Sequence, residues 1–137
     1  MKNNKIIYAW ACDIENYRGE GILGINFLKQ LSHTSNMKIF VESPTTILLI
    51  DQNKIKLIKT VSKTKINFGI FSNYFNPFYG VIKILLKKKY YGGICYVNFL
   101  PLWNFFLFMF LPKQTILGPI TGSIYKKKIK DINSMFR

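Results

Sequence analysis

KIIYAWACDIENYRGEGILGINFLKQLSHTSNMKIFVE, residues 5–42, holds one complete strand–helix–strand pattern. KIIYAWA (5–11) is a short apolar and aromatic run with polar residues on either side, the mark of a buried strand. A polar loop, CDIENYRGEG (12–21), follows and ends on two glycines. ILGINFLKQL (22–31) then sets Ile22, Ile25, Leu28 and Leu31 at helical spacing, with Ser32 and Asn36 marking the stop. MKIFVE (37–42) reads as a second strand. Strand, glycine-bearing loop, helix and strand predict a right-handed βαβ unit, with the loop at the carboxyl edge of a parallel sheet.

The same alternation continues outward. Pro44 breaks the chain, and TILLI (46–50) and KIKLIKTV (54–61) flank a turn-like DQN, which predicts a hairpin or a strand-loop-strand insertion. KINFGIF (65–71) is a further candidate strand. Asn76-Pro77 makes a turn with Pro77 suited to a first helical turn. FYGVIKILLKKKYY (78–91) then directs Val81, Ile84 and Leu85 inward and Lys83, Lys87 and Lys88 outward, until Gly92-Gly93 stop the helix. ICYVNFL (94–100) is another continuous apolar run, expected as a buried strand. Pro101 opens an apolar helix, LWNFFLFMFL, that Pro112 ends, and TILGPITG (115–122) is a last short strand running into Gly and Pro. The expected fold is an α/β three-layer sandwich with a mainly parallel sheet, in which 5–11, 37–42, 94–98 and 115–118 share one sheet. Residues 1–122 form the domain, and 123–137, ending IYKKKIKDINSMFR, start a basic amphipathic helix that stops abruptly at Arg137.

Composition narrows the function classes. With 137 residues, 49% of them hydrophobic and 19% charged, the chain has the apolar content for one core, which excludes intrinsic disorder as its main description. Cys12 and Cys95 sit beside apolar runs and read as buried thiols rather than a disulfide framework. With His33 they offer no ligand pair at metal spacing, so neither metal nor cofactor is expected. The net charge is +14, and all of the excess lies in residues 52–137, which hold fifteen basic groups and one acid, Asp131. An anionic partner is therefore expected there. Lysine supplies 18 of the 20 cations, which suits diffuse attraction more than bidentate phosphate readout. Lys, Asn, Ile, Phe and Tyr are abundant together, so AT-rich coding is an alternative source of much of this charge. The uncharged stretch from Tyr90 to Pro112 is broken by Gly92, Gly93, Asn98, Pro101 and Asn104, and no membrane span results. Asp13 and Glu15 arrive too early for a signal peptide, and the chain reads as cytosolic or membrane-peripheral.

Candidate functional residues gather at two turns and two lysine runs. Gly19, Glu20 and Gly21 lie where ligands bind in such sheets, although GEGILG is neither the dinucleotide fingerprint nor a Walker loop. The alternative is a plain strand-to-helix turn. Gly118, Pro119, Ile120, Thr121 and Gly122 end the last strand at the same edge, in a tight turn with free backbone donors or a simple strand terminator. Asn98 follows a strand there and is either a sugar-hydroxyl partner or a loop-fixing amide. His33 reads as a helix-end residue, with a catalytic base the alternative, and Asp13, Glu15 and Glu20 as either a general base among them or solvated loop acids. Lys87, Lys88 and Lys89, with Lys126, Lys127 and Lys128, flank aromatic helices in the manner of proteins that lie on anionic membranes; a solvated face is the alternative. The aromatics at 103, 105, 106, 108 and 110 are too contiguous for one stripe and are expected mostly in the core.

RGEGILGINFLKQL, YVNFLPLWNFFLFMFLP and TILGPITGS, after an opening strand, together resemble the N-terminal half of bacterial two-domain (GT-B type) glycosyltransferases. The likeness is to the retaining, sugar-nucleotide-dependent group that builds lipopolysaccharide and other cell-surface glycans. It covers most of the chain and is weakest at 43–75. The resemblance implies a Rossmann-like domain holding a glycan or lipid-linked acceptor, with Gly19, Glu20 and Gly21 approaching the phosphate of a nucleotide sugar. Gly118, Pro119, Thr121 and Gly122, with Asn98, would line the cleft. Two departures stand out: the family's nucleotide-binding second domain is absent from these residues, and Asn98 stands near where many relatives carry a histidine. The expectation is thus a truncated hexosyltransferase half at the inner face of the cytoplasmic membrane, inactive alone. The competing expectation is a non-enzymatic basic module on a membrane surface or nucleic acid, although no nucleic-acid reading motif is present.

Overall fold

The computed structural model describes residues 3–12, 14, 19–52, 54–60, 72–97 and 105–118. In chain order these form β1 (Asn3–Ala11), α1 (Glu20–Ser35), β2 (Lys38–Glu42), β3 (Thr46–Asp51), β4 (Lys54–Thr60), α2 (Ser72–Lys87), β5 (Tyr91–Val97), α3 (Phe105–Phe110) and β6 (Thr115–Leu117). The six strands make one sheet in the order β4-β3-β2-β1-β5-β6. β1 pairs in parallel with β2 and β5, and β5 with β6, so the four runs expected together lie side by side. The fold is α/β.

The sheet is mixed rather than mainly parallel. β3 runs antiparallel to β2 and β4 antiparallel to β3, which makes the 46–60 region a hairpin on the outer side of β2. The physical cause is local. Ser43 is buried, and its hydroxyl accepts the Thr46 amide at 2.9 Å, while the Ser43 amide donates to the Thr46 carbonyl at 2.9 Å. This closes a tight turn that sends the chain straight back. The candidate strand at 65–71 and the basic tail from 123 lie outside the described residues.

β1 is buried on both sides, which is why its sequence is continuously apolar rather than alternating. Ile7, Ala9 and Ala11 join Ile25 and Leu28 of α1, with Ile39, Val41, Cys95 and Val97 from the neighbouring strands. Tyr8, Trp10 and Cys12 point the other way, to Val81 and Ile84 of α2 and Leu107 of α3. Gly80 brings α2 down onto Trp10: a Cβ there would fall 2.2 Å from the indole ring.

Several details depart from the sequence reading. In α1 the buried positions are Gly21, Gly24, Ile25, Leu28 and Ser32, while Ile22 is exposed. Ser32 is inside the helix rather than at its stop. Its hydroxyl donates to the Met37 carbonyl at 2.7 Å and accepts the Gln52 amide at 2.9 Å, tying the helix to the β3–β4 turn. Asn36 does end the helix, in the left-handed conformation with φ 51°. α2 starts at Ser72, so that Pro77 lies within it, and it ends at Lys87, before the glycines. Gly92 and Gly93 belong to β5, where a Cβ on Gly93 would press to 3.3 Å from Ile7 of β1. Leu85 is exposed, and so are Phe106 and Phe110, because Leu107 is the α3 side chain that enters the core.

Candidate functional site at the carboxyl edge

All four parallel strands end at one edge, and their ends are laced together there. The Cys12 amide donates to the Val97 carbonyl at 3.1 Å, and the Gly118 amide to the Tyr96 carbonyl at 2.8 Å. From β1 the chain passes through α1 to β2 on one side, whereas β5 lies on β1's other side. α1 packs on one face of the sheet and α2 on the opposite face. Strand order therefore reverses at β1, and the carboxyl edge at such a reversal is where open α/β sheets take ligands.

Gly19 and the start of α1 lie at this edge. Gly19 has φ 54° and ψ −112°, a backbone state that a residue without Cβ adopts readily. Nothing lies within 4 Å of where its Cβ would stand, so the requirement is conformational and not steric. Glu20 opens α1, and the first amide bonded back is Leu23, to the Gly19 carbonyl at 3.3 Å. The helix dipole adds partial positive charge at this end of α1. Gly21 is buried.

Gly118 reaches the same edge from β6. A Cβ there would come to 3.0 Å from the Val97 Cα, so glycine permits the close approach of the two strand ends. Its amide is engaged by Tyr96, which corrects the expectation of a free donor at this position: the sheet ladder extends one residue further. Asn98, Pro119, Thr121 and Gly122 lie outside the described residues, as do Asp13, Glu15, Lys126, Lys127 and Lys128. The structure thus brings Gly19, Glu20, Gly21 and Gly118 to one edge. It sends Lys87, Lys88 and Lys89 to the other, since α2 runs against the strands and ends where β5 begins.

One cluster has no counterpart in the sequence reading. Glu42, at the carboxyl end of β2, receives Lys83 Nζ on one oxygen at 2.6 Å and the Tyr8 hydroxyl on the other at 2.9 Å. Lys83 also stands 5.2 Å from the centre of the Tyr79 ring. Burial alone would lower the Lys83 pKa, but its hydrogen bonds to Glu42 and Tyr79 outweigh that and raise it. Burial first, and then the Glu42 charge, drive the Tyr8 phenol well above its ordinary range. With both carboxylate oxygens engaged, the cluster holds α2 against β2. Glu42 and Lys83 are 41 residues apart, and neither carries a local signal of the pairing.

Cys12 and Cys95 are buried thiols, not a disulfide. Burial pushes the Cys95 thiol up to about 12, so it is unreactive at neutral pH. The Trp10 indole N–H donates to Cys12 Sγ at 3.3 Å. His33 is exposed in the last turn of α1. Among the described residues no three His, Cys, Asp or Glu side chains come together as a metal site. Comparison with known proteins finds no family model, no curated protein and no solved structure that matches this chain.

Proposed function

We propose that this chain is the Rossmann-like, acceptor-side domain of a GT-B type glycosyltransferase that adds a sugar from a nucleotide sugar to lipopolysaccharide or another cell-surface glycan. The observation that supports this reading most is the reversal of strand order at β1, with Gly19, Gly21 and the amino end of α1 at the carboxyl edge beside it. In this reading the α1 amides face the donor diphosphate as negative charge develops on it. The acceptor, a glycan or lipid-linked glycan, rests on this domain, and the protein works at the inner face of the cytoplasmic membrane. The nucleotide, in this reading, is held by a second domain across a cleft, and the domain formed by these residues transfers no sugar without it.

The test is transfer of radiolabelled sugar from mixed nucleotide sugars to a membrane extract. The chain is assayed alone and then with a complementary C-terminal domain, while amide shifts of residues 19–21 are followed by NMR. No turnover alone, weak nucleotide-dependent shifts at the turn and turnover with the second domain are expected. Robust turnover by the chain alone would overturn the half-enzyme reading. Absence of both transfer and shifts would overturn the glycosyltransferase reading itself.

A further inference from the structure

A helix laid on a sheet buries one stripe and ordinarily shows a polar face to water. α2 does not. Pro77, Gly80, Val81 and Ile84 are buried, and on the outward side stand Phe78, Ile82, Leu85 and Leu86. α3 packs beside α2 and adds Met109 and Phe110 to the same outer layer. These six side chains are between 38% and 72% exposed, which makes a patch of a kind monomeric soluble proteins seldom leave in water. The charge around it has one sign. Residues 72–118 contain five lysines and no Asp or Glu. Lys88 and Lys89 are exposed where α2 ends, and Lys113 is exposed just after α3, at the same edge of the sheet. The nearby carboxylate, Glu42, is already engaged by Lys83 and Tyr8.

From this we infer that the outer face of α2 and α3 is a docking surface for an anionic lipid bilayer. Its apolar side chains enter the acyl boundary, and Lys88, Lys89 and Lys113 meet the phosphate headgroups. The helices lie in the plane of the interface: among the described residues none is long and apolar enough to cross a membrane. A second copy fits the face poorly, because residues 72–118 would set lysines against lysines with no Asp or Glu of their own between them. The inference concerns the helical face and the amino edge, not the carboxyl edge, and holds whether or not the chain transfers sugar.

The experiment is co-sedimentation of the full chain with vesicles of phosphatidylcholine alone and of phosphatidylcholine mixed with phosphatidylglycerol. The expected result is binding to the anionic vesicles that falls as salt rises, because exposed charges are screened beyond about 8–10 Å at physiological ionic strength. Neutralising Lys88 and Lys89 (Lys88→Gln with Lys89→Gln) lowers partition about 25-fold, near fivefold for each lysine. The pairs Ile82→Ser with Leu86→Ser, and Met109→Ser with Phe110→Ser, also weaken binding, with the circular dichroism unchanged. Lys56→Gln with Lys59→Gln on β4, far from the face, is the control and has little effect. Equal binding to both vesicle types would overturn the proposal, as would an equal loss from the β4 pair, which would mean diffuse attraction without a located face. Absence of binding would also overturn it: a dimer in sedimentation velocity then assigns the face to a second copy, and a monomer assigns it to an acidic protein. The salt titration needs no variant, so the proposal stays testable where a substitution fails to fold.

Discussion

The two sides of the sheet start from the same strand and are filled by different chemistry. On the α1 side β1 supplies Ile7, Ala9 and Ala11, and the packing around them is largely aliphatic. α1 then turns Asn26, Gln30, His33 and Thr34 to water. On the α2 side β1 supplies Tyr8 and Trp10, and aromatic rings dominate: Tyr8 lies 5.3 Å from Tyr91, and Trp10 meets Tyr79 edge-on at 5.5 Å. An ion pair crosses this side, and the far face of its helices is apolar. The α1 layer shows water a mostly polar face, with Ile22 and Leu23 exposed near its amino end. The α2 layer combines a polar pin inside with an apolar outside, the arrangement of an element that meets something other than water.

The largest expected effect separates these two sides by packing. Trp10→Ala empties the centre of the aromatic layer and costs about 4 kcal/mol, read by chemical denaturation. Gly80→Ala costs about 2 kcal/mol despite a helix-propensity gain of about 1 kcal/mol, because the new methyl meets the indole. A stabilised Gly80→Ala chain would mean that α2 does not seat on Trp10. Glu42→Gln costs about 2 kcal/mol, since it leaves Lys83 and Tyr8 facing a weaker acceptor in a mostly buried site. Lys83→Met alongside it should cost less than the sum of the two single changes; strict additivity would show that the pair does not couple.

The same pin sets a pH dependence with a definite sign. Tyr8 and Lys83 both have folded pKa values above their ordinary 10.0 and 10.5. Their contribution is fully present below those values and is lost as pH rises through the folded ones. Unfolding free energy should therefore fall above about pH 10 and do so less in Glu42→Gln, as urea titrations at stepped pH would show. An unchanged alkaline limb in that variant would remove Glu42 from the explanation. The smallest effect belongs to Lys38 and Asp51, 2.8 Å apart with both side chains about half exposed. Asp51→Asn should shift stability by less than about 0.5 kcal/mol and lose even that at high salt.

Much of the candidate site was readable because glycine carries a backbone message. Gly19 stands at a strand-to-helix turn that needs positive φ, and GEG announced it. Gly118 does follow the last strand as its sequence suggested, but the fate of its amide depends on where Tyr96 stands across the sheet. Lys83 was read as an outward lysine because helical periodicity does not register a carboxylate on a strand 41 residues earlier. Gly92 and Gly93 were read as a helix stop because glycine signals both a helix end and a strand under close approach, and only Ile7 distinguishes the two.

What the amino-acid sequence determined alone is the alternation of strands with helices and the gathering of four of the strands in one sheet. Short, continuous apolar runs separated by helical lengths leave few ways to bury their hydrophobic sides, and a parallel sheet with crossover helices is one of them. Tertiary structure decided which side of each helix turned inward. In α1 small residues won the interface, since Gly21 and Gly24 are buried while Ile22 remains outside. α2 is apolar around most of its circumference, so periodicity offered two candidate faces. The choice between them came from Gly80 seating on Trp10 and from Lys83 reaching Glu42, contacts that exist only once the sheet has assembled.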